Sequence, residues 1–207
     1  MTTSAPFPEH LHMPATPLLL TPRLILRPFA GRDIDACRRR FDQWEVVRYL
    51  SAEVPWPIPP EEFGTAIADT LAKMANRERC TWAVTLRGGD DELIGRVDLW
   101  ADDGVSRDQR GFWLAHEFWG QGLMTEAADR VTDFALIELG WPQLWLNNAE
   151  VNLGSHRVKE KQGAQIVDRV PRRYVYGEGV AVVWRLTCEA WLAHKSALSA
   201  RGGGAAG

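Results

Sequence analysis

The sequence predicts a single α/β domain with a mixed, mostly antiparallel central sheet flanked by helices, on three observations. Apolar runs of strand period alternate with runs of helix period from Leu24 to Thr187. Three strand-like runs between Trp82 and Ala115 are joined by turns rich in Gly and Asp, which makes them an antiparallel meander. A strand then passes through Gly120-Gln121-Gly122 into a long helix and on to another strand, a crossover of the kind that joins parallel neighbours.

Each element has a local cause. Leu24 to Arg27 reads as a short strand closed by Pro28, and Asp33 is placed to cap a helix that turns Ile34, Cys37 and Phe41 inward. The proline-rich crossing Pro55 to Pro60 precedes a helix with Phe63, Ile67, Leu71 and Met74 on one face. Trp82, Val84 and Leu86 alternate; Gly88-Gly89-Asp90-Asp91 turns the chain into Leu93 to Trp100, and Gly111 to Ala115 is the third strand of the meander. The helix after Gly122 buries Leu123, Ala127, Val131, Phe134, Ala135 and Leu139, and Gly140 ends it. A strand from Leu144 to Val151, a short helix from Ser155 to Gln162 stopped by Gly163, and strands Ala164 to Val170 and Val180 to Thr187 complete the domain. Residues 1–16, with three prolines, read as a flexible arm, 17–195 as the domain, and 196–207, ending in Gly and Ala, as a flexible tail.

Composition narrows the function. The chain of 207 residues is 45% hydrophobic and 25% charged, which excludes a disordered or collagen-like chain. No apolar run approaches the ~18 residues of a bilayer span, so no membrane role is expected. A net charge of −3 argues against direct nucleic-acid binding. Cys37, Cys80 and Cys188 fit neither a disulfide framework nor a zinc motif and read as reduced thiols of a cytoplasmic protein, with no metal site expected. Ten tryptophans against three tyrosines make Trp the main large aromatic, with Trp56, Trp100 and Trp113 as candidate walls of a cleft. Arg38-Arg39-Arg40 reads as a solvated helix face.

The chemistry concentrates at Gly120-Gln121-Gly122. A helix N-terminus offers unpaired N–H groups and about half a positive charge, and glycines let a ligand approach the main chain, so the turn suits a phosphate or pyrophosphate. It is neither a Walker loop nor a complete dinucleotide fingerprint, since no Gly-Lys-Ser/Thr follows and Met124-Thr125 stands where a third glycine would fall.

The run Trp119 to Ala127, WGQGLMTEA, resembles the pyrophosphate loop of the GNAT N-acetyltransferases, and is most similar to the RimJ/RimL-like branch that acetylates ribosomal-protein N-termini. LTPRLILRPF (Leu20 to Phe29), VVRYLSAEVPWP (Val46 to Pro57), ELIGRVDLW (Glu92 to Trp100), GFWLAHEFWGQG (Gly111 to Gly122) and NLGSHRVKEKQGA (Asn152 to Ala164) resemble further segments in the same order. The sequence departs at Glu117, where the loop often carries Gln or Arg, and at Ala164, where Phe usually follows the glycine.

The resemblance implies a sheet splayed between strands four and five, acetyl-CoA as donor and coenzyme A as product. It implies cofactor contacts from the main chain of Phe112 and Leu114, from Trp119, Gly120, Gln121, Gly122, Leu123 and Met124, and from Asn152, Ser155 and Lys161. It also implies direct attack by a primary amine, with Glu117 or His116 as base, the N–H of Leu114 or Ala115 facing the developing oxyanion, and Ser155 as proton donor to the leaving thiolate. Glu126 is a reserve base. Ser155 is also placed to cap its helix, a compatible role; Glu117 also suits a helix N-terminus. Arg172 and Arg173, before Tyr174 and Tyr176, fall where the branch shapes its acceptor cleft. The implied acceptor is a protein or peptide N-terminus; a small amine (antibiotic, amino-acid-like toxin or polyamine) and a non-catalytic acyl-CoA-binding module are the alternatives. A homodimer through the C-terminal strands is compatible with the sequence.

Overall fold

The computed structural model describes residues 13–202. One sheet grows by successive antiparallel pairings through β1 (Leu19–Leu20), β2 (Leu24–Pro28), β3 (Arg79–Leu86), β4 (Gly95–Trp100) and β5 (Arg110–Leu114). A second has β6 (Gln143–Ala149) and β7 (Gln165–Tyr174) on either side of β8 (Gly177–Thr187), again antiparallel. Alternation fixes the register. Trp82 lies opposite Val97, and Val97 opposite Phe112, so these side chains share one face. Ala83 and Trp113 turn to the other.

Two apolar layers follow. On the Trp82 face, α4 (Leu123–Asp133) buries Leu123, Ala127 and Val131 at helical spacing. It continues through a π-helical turn, Phe134–Glu138, to Gly140. The short helix α5 (Leu153–Lys161) adds Val158 and the C-terminal α6 (Cys188–Gly202) adds Trp191 to the same core. The indole of Trp191 donates to Asp133 at 2.8 Å, and Lys195 pairs with the same carboxylate at 2.7 Å. The opposite face is covered by α1 (Ile34–Phe41), α2 (Trp44–Val47) and α3 (Pro60–Ala75).

The predicted crossover is present as β5–α4–β6, but β5 and β6 form no parallel ladder. They touch where the Gln109 N–H donates to the Trp145 carbonyl at 2.9 Å and the Gln109 side-chain oxygen accepts from the Trp145 N–H at 2.8 Å. Beyond that point the strands part. With the two-residue β1 discounted, these are the fourth and fifth strands, and the expected splay lies between them.

Several local expectations change. Asp33 stands at the N-cap position of α1 but makes no cap bond. Its carboxylate turns back to the Ala30 N–H and clamps Arg27 at 2.6 and 2.8 Å. The arginine run is not wholly solvated, because Arg40 pairs with Glu92 at 2.8 Å and stacks on Phe118, tying α1 to the end of β5. Residues 13–16, assigned to the arm, pack instead: Met13 is buried and donates its N–H to the Arg77 carbonyl, and Thr16 accepts from the Thr81 N–H. Residues 1–12 lie outside the described residues. The tail, expected from Ser196, is helical to Gly202, and the hydroxyls of Ser196 and Ser199 bond carbonyls one turn back. Residues 203–207 lie outside the described residues.

The thiols are free, with Cys37 and Cys80 buried and Cys188 half-buried. Burial pushes Cys37 up to about 12 and Cys80 up to about 11, which makes both poor nucleophiles. Among the described residues no helix is long and apolar enough to cross a membrane, and no cluster of His, Cys, Asp or Glu could hold a metal ion.

Arg27 bridges Asp33 and Asp91 inside this frame, with bonds to Asp33 nearly sealed from solvent. Removing one partner of such a pair strands a buried charge, at a cost of ~3–5 kcal/mol. Asp33→Ala is therefore expected to lower Tm by roughly 10 °C in a calorimetric scan. A fall under about 2 °C would mean that Arg27 finds water or another partner.

Candidate functional site

The site begins as an open strand edge. In the β4–β5 ladder the hydrogen-bonded residues of β5 are the odd-numbered ones, as shown by the Ala115 N–H on the Ile94 carbonyl at 2.9 Å and the Trp100 N–H on the Gln109 carbonyl at 3.0 Å. Antiparallel alternation then turns the N–H and C=O groups of Phe112 and Leu114 toward the gap beside β6. The Leu114 carbonyl is occupied by the indole N–H of Trp119 at 2.7 Å. Its N–H remains toward the gap, whereas the Ala115 N–H, the other expected oxyanion donor, is consumed in the sheet.

At the end of this edge the chain makes a 3-10 turn, His116–Phe118, and enters the glycine turn. Gly120 and Gly122 have φ of 77° and 75°, which L side chains rarely adopt, and Gly122 is the N-cap of α4. The first internal bond of α4 runs from the Glu126 N–H to the Gly122 carbonyl. The N–H groups from Gly120 through Thr125 therefore have no partner among the described residues, the arrangement that binds anions. Trp119 differs from expectation, since its N–H already donates to the His116 carbonyl at 3.0 Å.

Arg23 adds a cation that the sequence pattern did not single out. Its guanidinium bonds the Gln121 carbonyl at 2.9 Å and Glu126 at 2.6 Å, and one of its nitrogens lies 3.7 Å from where a Cβ on Gly122 would stand. Burial alone would raise the Glu126 carboxyl, but bonds from the Thr21 hydroxyl, the Arg23 N–H and the Arg23 side chain hold it below the usual range. Glu126 is thus a tether between the β1–β2 turn and α4, not a reserve base.

Across the gap, α5 begins at Leu153 and Asn152 is its cap, its side-chain oxygen accepting from the Ser155 N–H at 3.1 Å. Ser155 sits inside the first turn and does not cap. Its Oγ accepts from the Nζ of Lys159, one turn on, at 2.7 Å. Lys161, by contrast, is exposed and lies off the helix face that carries Ser155 and Lys159. Below lies a buried polar network: Arg110 donates to Gln162 at 2.8 Å and to the Thr132 hydroxyl, and Gln162 donates to Asp129 at 2.9 Å. Arg110, Lys159 and Gln162 are at most 2% exposed. Burial pushes Lys159 down, aided by Arg110 and opposed by Asp108. Burial pushes Asp108 up, against the pull of Lys159 and Arg172.

His116 and Glu117 are exposed at the mouth. His116 meets the Trp119 ring edge-on at 4.9 Å, and Glu117 lies 3.4 Å from Arg40 of α1. On that α1 side of β5 is a cavity of about 270 Å³, walled by Cys37, Phe41, Ile58, Phe63 and Trp113, with Glu53 and Glu62 in its lining. Of the three candidate tryptophans only Trp113 lines it, its indole nitrogen buried without a partner; Trp56 packs on Trp44 and Trp100 under Arg79. The β7–β8 hairpin, with Arg172 and Arg173, pairs with the segment just before the cavity, through Val175 on the Leu50 carbonyl and Ala52 on the Arg173 carbonyl. Arg173 spends its charge on Glu178 at 2.9 Å.

Sequence reasoning passed over Arg23, Asp108, Arg110 and Lys159. Asp108, Arg110 and Lys159 carry no local signal of burial, and Arg23, half exposed in the β1–β2 turn, carries none of its partners on α4; only neighbours in space reveal them.

Comparison with known proteins gives the same outline. The family described as an acetyltransferase (GNAT) domain matches residues 23–165. The chain is 29% identical over 165 residues to the uncharacterized N-acetyltransferase YoaA of Bacillus subtilis (strain 168), covering 79% of this chain and 90% of that protein. Among solved structures it is similar to RimL, the ribosomal L7/L12 α-N-protein acetyltransferase, in complex with coenzyme A, at a TM-score of 0.70 and 14% identity over 84% of this chain and 99% of that one. It is also similar to Mycobacterium smegmatis RimJ in complex with a CoA-disulfide, at a TM-score of 0.68 and 18% identity over 80% and 82%. Likeness at these identities concerns the fold. The match across most of the domain, on a sheet parted at the expected strands, establishes that this chain belongs to the GNAT acetyltransferase family, acyltransferases that use acetyl-CoA.

Proposed function

We propose that this acetyltransferase acts on the α-amino group of a protein or peptide, in the manner of the RimJ/RimL-like branch, and that its donor lies along the open edge of β5. The supporting observation is the pairing of that edge with the cavity on the other side of the strand. A volume near 270 Å³ is below the ~300–1,000 Å³ of pockets that enclose drug-sized ligands, and suits one apolar side chain next to a chain terminus. The lining carboxylates of Glu53 and Glu62 favour a cationic amine, and Arg96, the cation of the lining, is already paired with Asp98 at 2.9 Å.

Bound acetyl-CoA supplies a thioester carbonyl for attack and a thiol as leaving group. The N–H groups of Gly120 to Met124, with Arg23 beside them, hold the pyrophosphate. The N–H and carbonyl of Phe112 would pair with the pantetheine arm as a neighbouring strand would, Asn152 would meet its far side, and Leu114, whose carbonyl is taken by Trp119, would contribute only its N–H. The Leu114 N–H donates to the carbonyl oxygen as negative charge develops on it. Ser155 gives a proton to the leaving sulfur. An α-amino group has a pKa of ~7.7–8.0, so a modest base suffices. Glu117, on the cavity side and oriented by Arg40, takes that proton directly or through water, with His116 as the alternate acceptor.

Saturating acetyl-CoA, about a hundredfold above Kd, stabilises the fold by ~2.7 kcal/mol and is expected to raise Tm by roughly 5–10 °C. Gly122→Glu should weaken acetyl-CoA binding by about tenfold or more through strain and charge together. Gly122→Ala, which brings the strain alone, should lose less; equal losses would remove electrostatics from the loop. Ser155→Ala should lower kcat by about a hundredfold with little change in KM, and a pure KM effect would remove the proton-donor role. In a thiol-release assay, peptides with a free N-terminus and an apolar first residue should outperform polyamines, aminated antibiotics and free amino acids. The reverse order would move the acceptor to the small-amine class.

A further inference from the structure

Ser155 has an incomplete set of hydrogen bonds, and the way it is incomplete is informative. With Lys159 charged, the contact at 2.7 Å makes Ser155 Oγ an acceptor, because an ammonium only donates. The hydroxyl proton must point elsewhere, and among the described residues no group accepts it. The main-chain N–H of Ser155 is fixed by Asn152, so the side chain stands on an anchored turn. Lys159 is itself immobilised. It is 1% exposed, it projects from the same helix face one turn away, and its Nζ lies 5.2 Å from the centroid of Phe112, over the ring. Phe112 belongs to β5, so Lys159 links α5 to the floor of the gap.

Resting on the reading of Ser155 as proton donor, we propose that Lys159 is the positioning residue of the reaction. Its Nζ donates to Ser155 Oγ, turns the hydroxyl proton into the gap, and replaces that proton when Ser155 gives it up. The balance is simple. The Ser155 O–H bond breaks as an S–H bond forms on the leaving sulfur. An N–H bond of Lys159 breaks as the O–H bond of Ser155 is restored. Glu117 releases to solvent the proton it took from the attacking amine, and the neutral Lys159 amine regains one from solvent, so the net proton count is unchanged and nothing is oxidised or reduced. The surroundings suit a group that changes charge. The Phe112 face and the Asp108 carboxyl favour the ammonium, whereas burial and Arg110 favour the amine.

Two measurements test this. The first needs no activity: a lysine ammonium 1H–15N spectrum of the ligand-free protein, with Lys159 assigned through its own carbon chain. A slowly exchanging ammonium signal is expected for Lys159, and it should shift or broaden away in Ser155→Ala. Absence of the signal in the parent, or indifference to Ser155→Ala, overturns the inference. The second is a kinetic cycle. Lys159→Met should lower kcat about as much as Ser155→Ala, with KM for acetyl-CoA within about twofold, and the double variant should be no slower than Ser155→Ala alone. Unchanged kcat in Lys159→Met, or additive losses in the double variant, overturns it. Full activity in Ser155→Ala instead sinks the underlying reading of Ser155. If Lys159→Met does not fold, Lys159→Gln takes its place: it retains a donor but no exchangeable charge, and should lose most of kcat. The spectra of the parent and Ser155→Ala decide the hydrogen bond even if neither Lys159 variant folds.

Discussion

Strand β5 is hydrogen-bonded along one edge and open along the other, and the rest of the site depends on that asymmetry. An open edge in the middle of a domain is ordinarily a liability, because unpaired N–H and C=O groups invite another strand. Here Gln109 limits the opening. Its main chain and its side-chain amide both engage Trp145, so the two sheets are pinned at one point and part beyond it. The glycine turn then presents its own unpaired N–H groups at the same end of the same strand. Strand edge and helix start thus offer two sets of main-chain groups, separated by the 3-10 turn, where the N–H groups of Phe118 and Trp119 are paired.

What fills the space under the gap is polar. Arg110, Gln162, Thr132 and Asp129 form a chain of bonds between β5, α4 and α5, and Lys159 stands beside it. Such a network is stable only when most of its members are satisfied, since each buried orphan costs roughly 1–3 kcal/mol. Arg110 leaves Nε unpaired and Asp108 leaves one oxygen unpaired, both next to the gap. These two orphans lie at or just before the start of β5; others, such as Asp42 Oδ1 and Tyr174 Oη, lie elsewhere in the fold.

The opposite side of β5 follows different physics. Cys37, Phe41, Phe63 and Trp113 make an apolar wall, and the charges belong to its edges. Arg40 connects the two regimes, reaching from α1 to Glu92, Glu117 and the ring of Phe118. The cavity wall is thus braced against the turn that holds Glu117.

Periodicity and turn chemistry were enough, from the sequence, for the meander, the long helix to Gly140, the glycine turn at its start and, by resemblance, the splay and the family. These rest on local rules: alternation sets a strand face, a spacing of three and four sets a helix face, and glycine marks positive φ. Tertiary structure alone decided which polar residues are partners. Asp33 looked like a cap and proved an ion-pair clamp; Glu126 looked like a spare base and proved a tether; Ser155 looked like a cap and proved the acceptor of a buried lysine. The physical reason is common to all three. A side-chain oxygen goes to whichever donor the fold brings within 3 Å, and for Asp33 and Glu126 that donor comes from another element. For Ser155 the partner is only four residues away, but its burial is fixed by β5, and no local pattern records burial.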